Sequence, residues 1–379
     1  MYNDRLLKCK GKTKMQFRNF LLASTFLLAI SIFGCGGNSK RGSSAGGGET
    51  GTTDVYMSGY TFNTTFGKYI ATYWKNGTAV NLTDGRQNAE ANGIAVDSSG
   101  NIFVAGFTNT TTEIQIAAYW KNGSGINLTD ETLGSEANGI AIDSNGNVYT
   151  AGTINSSTIY PIATYWKNGT AIDLTDGTDW AEAFGISVDS SGNAYVAGYT
   201  TNSTYATGVA TYWKNNSEVD LTDGKLGASA SGIAIDGSGN IYAAGSRASS
   251  ETGTSIATYW KNGTAVDLTD ESQFARLTSI FIDNSGNVYA AGYTTSATTG
   301  LKVATYWKNS TEVFLSDGTE WAEATGITVD SGGDVYVTGY TVNTTTNIYL
   351  ATYWKNGTTI YLSDGTSDAY LSGIALSSQ

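Results

Sequence analysis

The chain has 379 residues, of which only 14% are charged; it contains 47 Gly, 24 Tyr, 9 Trp and one Pro, and its net charge is −12. A composition so rich in Gly and aromatics and so poor in charge excludes a coiled coil and charge-driven disorder. No His is present, which removes His-dependent triads, His-ligated zinc and imidazole proton shuttles, and the acidic balance argues against a nucleic-acid partner, whose backbone needs clustered Lys and Arg.

The first 20 residues hold Arg5, Lys8, Lys10, Lys12, Lys14 and Arg18 against one acid, Asp4. Leu21 to Phe33 follow without a charge. Thirteen residues are short of the roughly 20 that span a bilayer, and a basic flank before such a run is the pattern of a signal peptide. Met15 is an alternative start that gives a more usual signal length. The run closes as Ile32-Phe33-Gly34-Cys35-Gly36, which resembles a bacterial lipobox, with Phe33 replacing the usual small residue. The resemblance implies cleavage after residue 34 and lipid attachment at Cys35. Gly36 beside it, rather than Asp, implies the outer membrane by analogy with Gram-negative sorting. The other Cys is Cys9, so the folded part has no disulfide and no thiol nucleophile or ligand. Residues 35–53 are Gly- and Ser-rich with almost nothing apolar to bury. They are expected to form a flexible tether reaching about 23 Å.

From residue 54 the chain repeats. Tyr-Trp-Lys-Asn recurs at Trp74, Trp120, Trp166, Trp213, Trp260, Trp307 and Trp354, at spacings of 46 or 47 residues. Each copy reads as four strands. In one they are Ala194–Thr200, Val209–Lys214, Glu218–Thr222 and Gly232–Asp236. Asn-Gly follows Trp-Lys in five copies, and Asn215-Asn216 and Asn309-Ser310 replace it in the others. Asn and Gly accept the positive φ of a two-residue hairpin. Asp97-Ser-Ser-Gly-Asn101 and its counterparts make a second tight turn.

Four short antiparallel strands per unit of about 45 residues is the pattern of a propeller blade. Gly139-Ile-Ala-Ile-Asp-Ser-Asn-Gly-Asn-Val-Tyr-Thr-Ala-Gly152 resembles bacterial β-propeller repeats, and Tyr165-Trp-Lys-Asn-Gly169 is similar to the HAF-type extracellular repeat. The expected fold is all-β, a seven-bladed β-propeller over residues 54–379. The Gly-Ile-Ala-Val-Asp strand is placed innermost. The chain enters on the second strand of one blade and ends on an inner strand, so the closing blade is to be shared by both termini.

Strand order fixes two faces. The Asp-Ser-Ser-Gly-Asn and Lys-Asn-Gly turns share one face and scarcely vary. The loops on the other face diverge and are the expected binding surface. Three residues before the inner-strand Gly, whose place Ser279 takes in one copy, in what read as blade-to-blade loops, stand Glu90, Glu136, Glu182, Ser229, Arg276, Glu323 and Tyr370. Trp180 and Trp321 are the two Trp outside the repeated motif and share Asp/Glu-Trp-Ala-Glu-Ala. They are candidate stacking platforms or loop anchors. Trp180, Glu182, Trp321, Glu323, Glu90 and Glu136 are the candidate ligand-binding residues.

The seven repeated Trp suit packing between blades. The repeated Lys read as solvated hairpin charges, and the repeated Asp as acceptors of turn hydrogen bonds; the alternative for the Asp, a calcium loop, lacks the acidic spacing of an EF-hand. No cofactor and no metal are expected. The leading functional reading is a monomeric, lipid-anchored, non-enzymatic propeller that binds a protein or glycan. A glycosidase built on the Glu residues competes with it, since that chemistry needs only two carboxylates. An assembly scaffold is a third reading. Arg86, Arg247 and Arg276, placed on loops of the variable face, do not supply the arginine cluster that a sialidase needs.

Overall fold

The computed structural model of the chain describes residues 53–155 and 160–378. The expected signal segment, Cys35 and the expected tether up to residue 52 lie outside the described residues. Among the described residues, 28 strands, numbered here in chain order, form seven four-stranded antiparallel sheets. One blade shows the plan: β4 (Ala89–Val96) is innermost, then β5 (Ile102–Asn109), β6 (Gln115–Lys121) and β7 (Ser124–Asn127). The remaining inner strands are β8 (Ser135–Ile142), β12 (Ala181–Val188), β16 (Ala228–Ile235), β20 (Ala275–Ile282), β24 (Ala322–Val329) and β28 (Ala369–Ser378). Each packs beside the next, and β28 packs beside β4, so the ring closes.

Closure is non-covalent. β28 pairs antiparallel with β1 (Thr53–Asn63), from Thr53↔Ser378 to Thr61↔Ala369, as expected from where the repeats begin and end. Side chains tie neighbouring inner strands together as well. Asn92 Nδ2 donates to the Ala137 carbonyl (3.1 Å) and Asn138 Nδ2 to that of Ala183 (3.0 Å). Thr278 and Thr325 hydroxyls donate to the Ala324 and Leu371 carbonyls, both at 2.9 Å.

Blades splay apart with distance from the axis, and side-chain size follows. In one layer, Ala183 and Ile186 near the axis, then Val196, then Trp213, pack against Tyr149, Ala163 and Tyr165 of the preceding blade. The repeated Trp are all buried, none above 3% exposed. Small residues let inner strands converge, and the indoles fill the widening wedge to interior density.

The uniform face is a network of linked turns. Asn76, Asn122, Asn168, Asn215, Asn262, Asn309 and Asn356 all adopt φ near +50°, a region Asn tolerates. In each copy Oδ1 of this Asn accepts a backbone N–H near the start of the blade's second strand, as for Val148 with Asn168 (2.9 Å). Its Nδ2 reaches the neighbouring turn, as in Asn262 to Asn240 (2.9 Å). Asp97, Asp143, Asp189, Asp236, Asp283 and Asp330 each accept two turn N–H groups on Oδ1. The repeated Lys do more than face water. Their ammonium groups lie 4.9–5.2 Å from the ring centroids of the Tyr or Phe that follows each turn, a cation–π geometry.

Candidate functional site at the variable face

Glu90, Glu136, Glu182, Ser229, Arg276, Glu323 and Tyr370 are strand residues, not loop residues. Each is the second residue of its inner strand. Sequence patterning starts these strands at the Gly, four residues late, because the preceding Ala-x-Ala-x segment carries no β-branched run. A β-bulge lies between the two parts of the strand in all seven blades. Such a bulge re-aims the side chains ahead of it. Arg247, in the strand Ile241–Ala248, and Arg276, in β20, are likewise on strands; Arg247 pairs with Asp267 (2.5 Å).

The seven positions form one ring, and their charges sense one another. Burial pushes the Glu90 carboxyl up to about 8, helped by the charge of Glu136. Burial also raises Glu136, with Glu182 adding to it; hydrogen bonds from Asn138 and Gln115 oppose the rise. Glu182 is raised by burial and partly rescued by hydrogen bonds from Trp180 and Tyr199. Arg276 lies between the two Trp-bearing stations, within electrostatic reach of both Glu182 and Glu323. It donates to the hydroxyls of Ser229 (3.2 Å) and Ser231 (3.1 Å). Burial lowers its pKa, but a guanidinium starts so high that it remains a cation.

Two further columns complete the ring, and neither is among the candidates named from the sequence. The second-strand column is Tyr60, Phe107, Thr153, Tyr199, Ser246, Tyr293 and Tyr340, each paired with a ring residue. The third-strand column, five residues before each repeated Trp, is Tyr69, Gln115, Pro161, Gly208, Ser255, Lys302 and Tyr349. Lys302 Nζ donates to Glu323 Oε2 at 2.7 Å, and Tyr340 Oη donates to the same oxygen at 2.8 Å. At the closing blade Tyr370 stacks on Tyr60 at 4.7 Å and lies 4.7 Å from Tyr349 and 5.3 Å from Tyr340. Aligning the copies by their Trp would have exposed both columns; reading loops alone could not.

Trp180 and Trp321 stand immediately before β12 and β24. The Trp180 indole N–H donates to Glu182 Oε1 at 2.9 Å. Trp321 is 38% exposed. Phe274, which no sequence motif singles out, holds the same place before β20 and is 47% exposed. Two equivalent grooves flank the Trp-bearing loops. One, of about 720 Å³, is lined by Asp173, Asp176, Asp179 and Thr200–Thr204. The other, of about 540 Å³, is lined by Phe314, Asp317, Glu320 and Tyr361. The uniform face also holds a cavity, of about 880 Å³, among turn residues 188–190, 235–239 and 282–286. Among the described residues no group of His, Cys, Asp or Glu is arranged to hold a metal ion, and no helix is long and apolar enough to cross a membrane.

Fold and repeat together define the class: a seven-bladed β-propeller. Residues 82–111, 134–161 and 181–211 match a family described as beta-propeller repeat. No curated protein matches the sequence. Among solved structures, the chain is similar to the β-propeller domain of the Trilobed protease from Pyrococcus furiosus, at 11% identity and a TM-score of 0.52, covering 84% of this chain and 94% of that one. It is also similar to the BP39L lectin from Burkholderia pseudomallei (10% identity, TM-score 0.49, 81% and 95% covered) and to a PL25 ulvan lyase (11%, 0.44, 75% and 81%). At such identities the likeness is one of fold.

Proposed function

We propose that the protein is a lipid-anchored, extracytoplasmic propeller that binds a glycan or protein partner on its variable-loop face. The observation that carries this reading is the combination found there. Exposed aromatic rings at Trp321, Phe274, Tyr160 and Tyr205 rim a ring of carboxylates, phenols and two cations. Rings supply stacking surface, and carboxylate, ammonium and phenol groups supply hydrogen bonds to hydroxyls. The opposite face offers turns whose polar groups are largely spent on one another. The anchor rests on Cys35 and its preceding apolar run; held by it, the propeller sits at the outer membrane as a monomer on a tether.

The test compares variants on the two faces of the full chain. Trp180→Ala with Trp321→Ala alters the variable face; Ser238→Arg with Ser285→Arg alters the uniform face. Both are measured against an array of cell-envelope glycans and against surface proteins. Binding is expected to fall only for the first pair. Loss confined to the second pair puts the partner on the other face and defeats the proposal.

One observation favours a second reading. Glu90, whose carboxyl is pushed up to about 8 by burial and by the charge of Glu136, holds its proton more tightly than an ordinary carboxyl and senses a second one, the kind of pair a glycosidase uses. Release of reducing sugar by the wild type, abolished in Glu90→Gln, establishes that reading; its absence with every bound glycan removes it.

A further inference from the structure

The twin segments Asp179-Trp-Ala-Glu-Ala183 and Glu320-Trp-Ala-Glu-Ala324 are nearly identical in sequence, yet their tryptophans are held differently. At the first, the Trp180 indole N–H is spent on Glu182 Oε1 (2.9 Å), its carbonyl accepts from Thr201 (3.0 Å), and its ring lies half-buried 6.4 Å from Tyr160. At the second, Glu323 takes its hydrogen bonds from Lys302 (2.7 Å) and Tyr340 (2.8 Å), both on Oε2. The Trp321 indole N–H has no protein partner among the described residues.

The difference traces to the third-strand column. Beside Glu182 that column supplies Pro161, which has neither a side-chain donor nor an N–H. The carboxylate therefore recruits the indole of its own loop. Beside Glu323 the column supplies Lys302, which satisfies the carboxylate and releases the indole. The neighbour offered by that column, Pro161 or Lys302, is thus a difference beside two nearly identical motifs.

The freed ring belongs to a row. Lys302 Nζ lies 5.3 Å from the Trp321 ring and 3.8 Å from that of Tyr293, and Phe274 stacks on Tyr293 at 6.3 Å with 15° between planes. Phe274 and Trp321 are both more than a third exposed. The row thus offers two apolar faces, donors at Lys302 and the Trp321 indole, and an acceptor at Glu323 Oε1. Its one ammonium is matched by its one carboxylate, and the neighbouring Arg276 guanidinium is directed to the Ser229 and Ser231 hydroxyls of the preceding blade. A ligand carboxylate or phosphate would meet Glu323, and a ligand amine would compete with Lys302. A pyranose meets neither conflict: its C–H face stacks on an aromatic ring, and neighbouring hydroxyls accept from an ammonium and donate to a carboxylate.

We infer that Phe274, Lys302, Trp321 and Glu323 form a single binding site for an uncharged pyranose unit, and that Trp180 anchors its loop without touching ligand. This rests on the reading that the variable face binds a glycan. The full chain is titrated calorimetrically with neutral gluco-, manno- and galacto-oligosaccharides, with oligouronates and with chitosan oligomers. A neutral oligosaccharide is expected to bind. Trp321→Ala should weaken it about tenfold or more, with Trp321→Phe recovering part of the loss, while Trp180→Ala changes affinity by less than about threefold and lowers the melting temperature. Preference for uronates or chitosan, or equal losses from Trp180→Ala and Trp321→Ala at unchanged melting temperature, overturns the site assignment and leaves the variable face as the glycan surface. If no saccharide binds, the inference falls; the face reading survives only if a protein partner is lost on the same variable-face substitutions.

Discussion

The backbone carbonyl oxygen of Glu182 occupies the space in which a side chain on Gly198 would have to begin. The relationship recurs in every blade: Gly59, Gly106, Gly152, Gly245, Gly292 and Gly339 each meet the carbonyl of the ring residue on the adjacent inner strand. The repeated Gly of the second strand is therefore a requirement of the bulge that sets the ring, not of turn geometry. Gly198→Ala forces either the bulge or the strand to move. It is expected to cost about 3 kcal/mol, measured by urea unfolding. A change under about 0.5 kcal/mol would show that the bulge yields freely.

The hairpin Asn residues hold the opposite face. Asn262 has φ of +49°, accepts from Ile241 N–H (2.9 Å) and donates to Asn240 (2.9 Å). Asn262→Ala loses both bonds and adds left-handed strain, for about 2 kcal/mol. Asn262→Gly keeps the backbone conformation and should lose less. Equal destabilisation by the two variants would assign the whole effect to the hydrogen bonds.

Closure depends on the last strand. Deleting residues 370–379 removes nearly all of β28, its pairing with β1 and the Thr325–Leu371 bond. The edge of β1 is then left open and the ring loses its inner wall at one blade. The melting temperature should fall sharply and calorimetric cooperativity should broaden; an unchanged transition contradicts the shared-blade closure.

Acidity in the ring has a sign. Glu90 is pushed up to about 8 by burial and by Glu136, so the folded state holds the proton more tightly than the unfolded chain does. Its stabilising effect is complete below about pH 4.5 and is lost as pH rises through about 8. Glu90→Gln cannot ionise. Relative to wild type it should gain about 2–4 kcal/mol between about pH 5 and about pH 9. Parallel stability curves for the two proteins would show that Glu90 ionises as freely in the fold as outside it.

Lipidation is tested on the cell. Cys35→Ser should move the protein from the membrane to the soluble envelope fraction. Retention of the variant at the membrane removes Cys35 as the anchor.

Much of the fold is legible in the amino-acid order. Seven Tyr-Trp-Lys-Asn motifs at a fixed period, a β-period in every copy and Asn-Gly hairpins are local signals, and local signals suffice to count blades and to close the ring. The division into a uniform and a variable face follows from strand order alone. The inner strands are legible only in part, because Ala-Ser-Ala-Ser before Gly232 carries no strand pattern of its own and is held in the sheet by its neighbour's hydrogen bonds.

The ring on the variable face shows where local signals end. The four Glu can be named from their shared offset, but their company cannot: Glu323 meets Lys302, 21 residues away, while Glu182 meets Trp180, two residues away. Two nearly identical motifs thus find different hydrogen-bond partners, according to whether the preceding blade offers Pro161 or Lys302. Sequence determines which side chains a blade carries. Only packing of one blade against the next decides which donor a buried carboxylate finds, because that choice is made across an interface and satisfied by whichever group lies within hydrogen-bond reach.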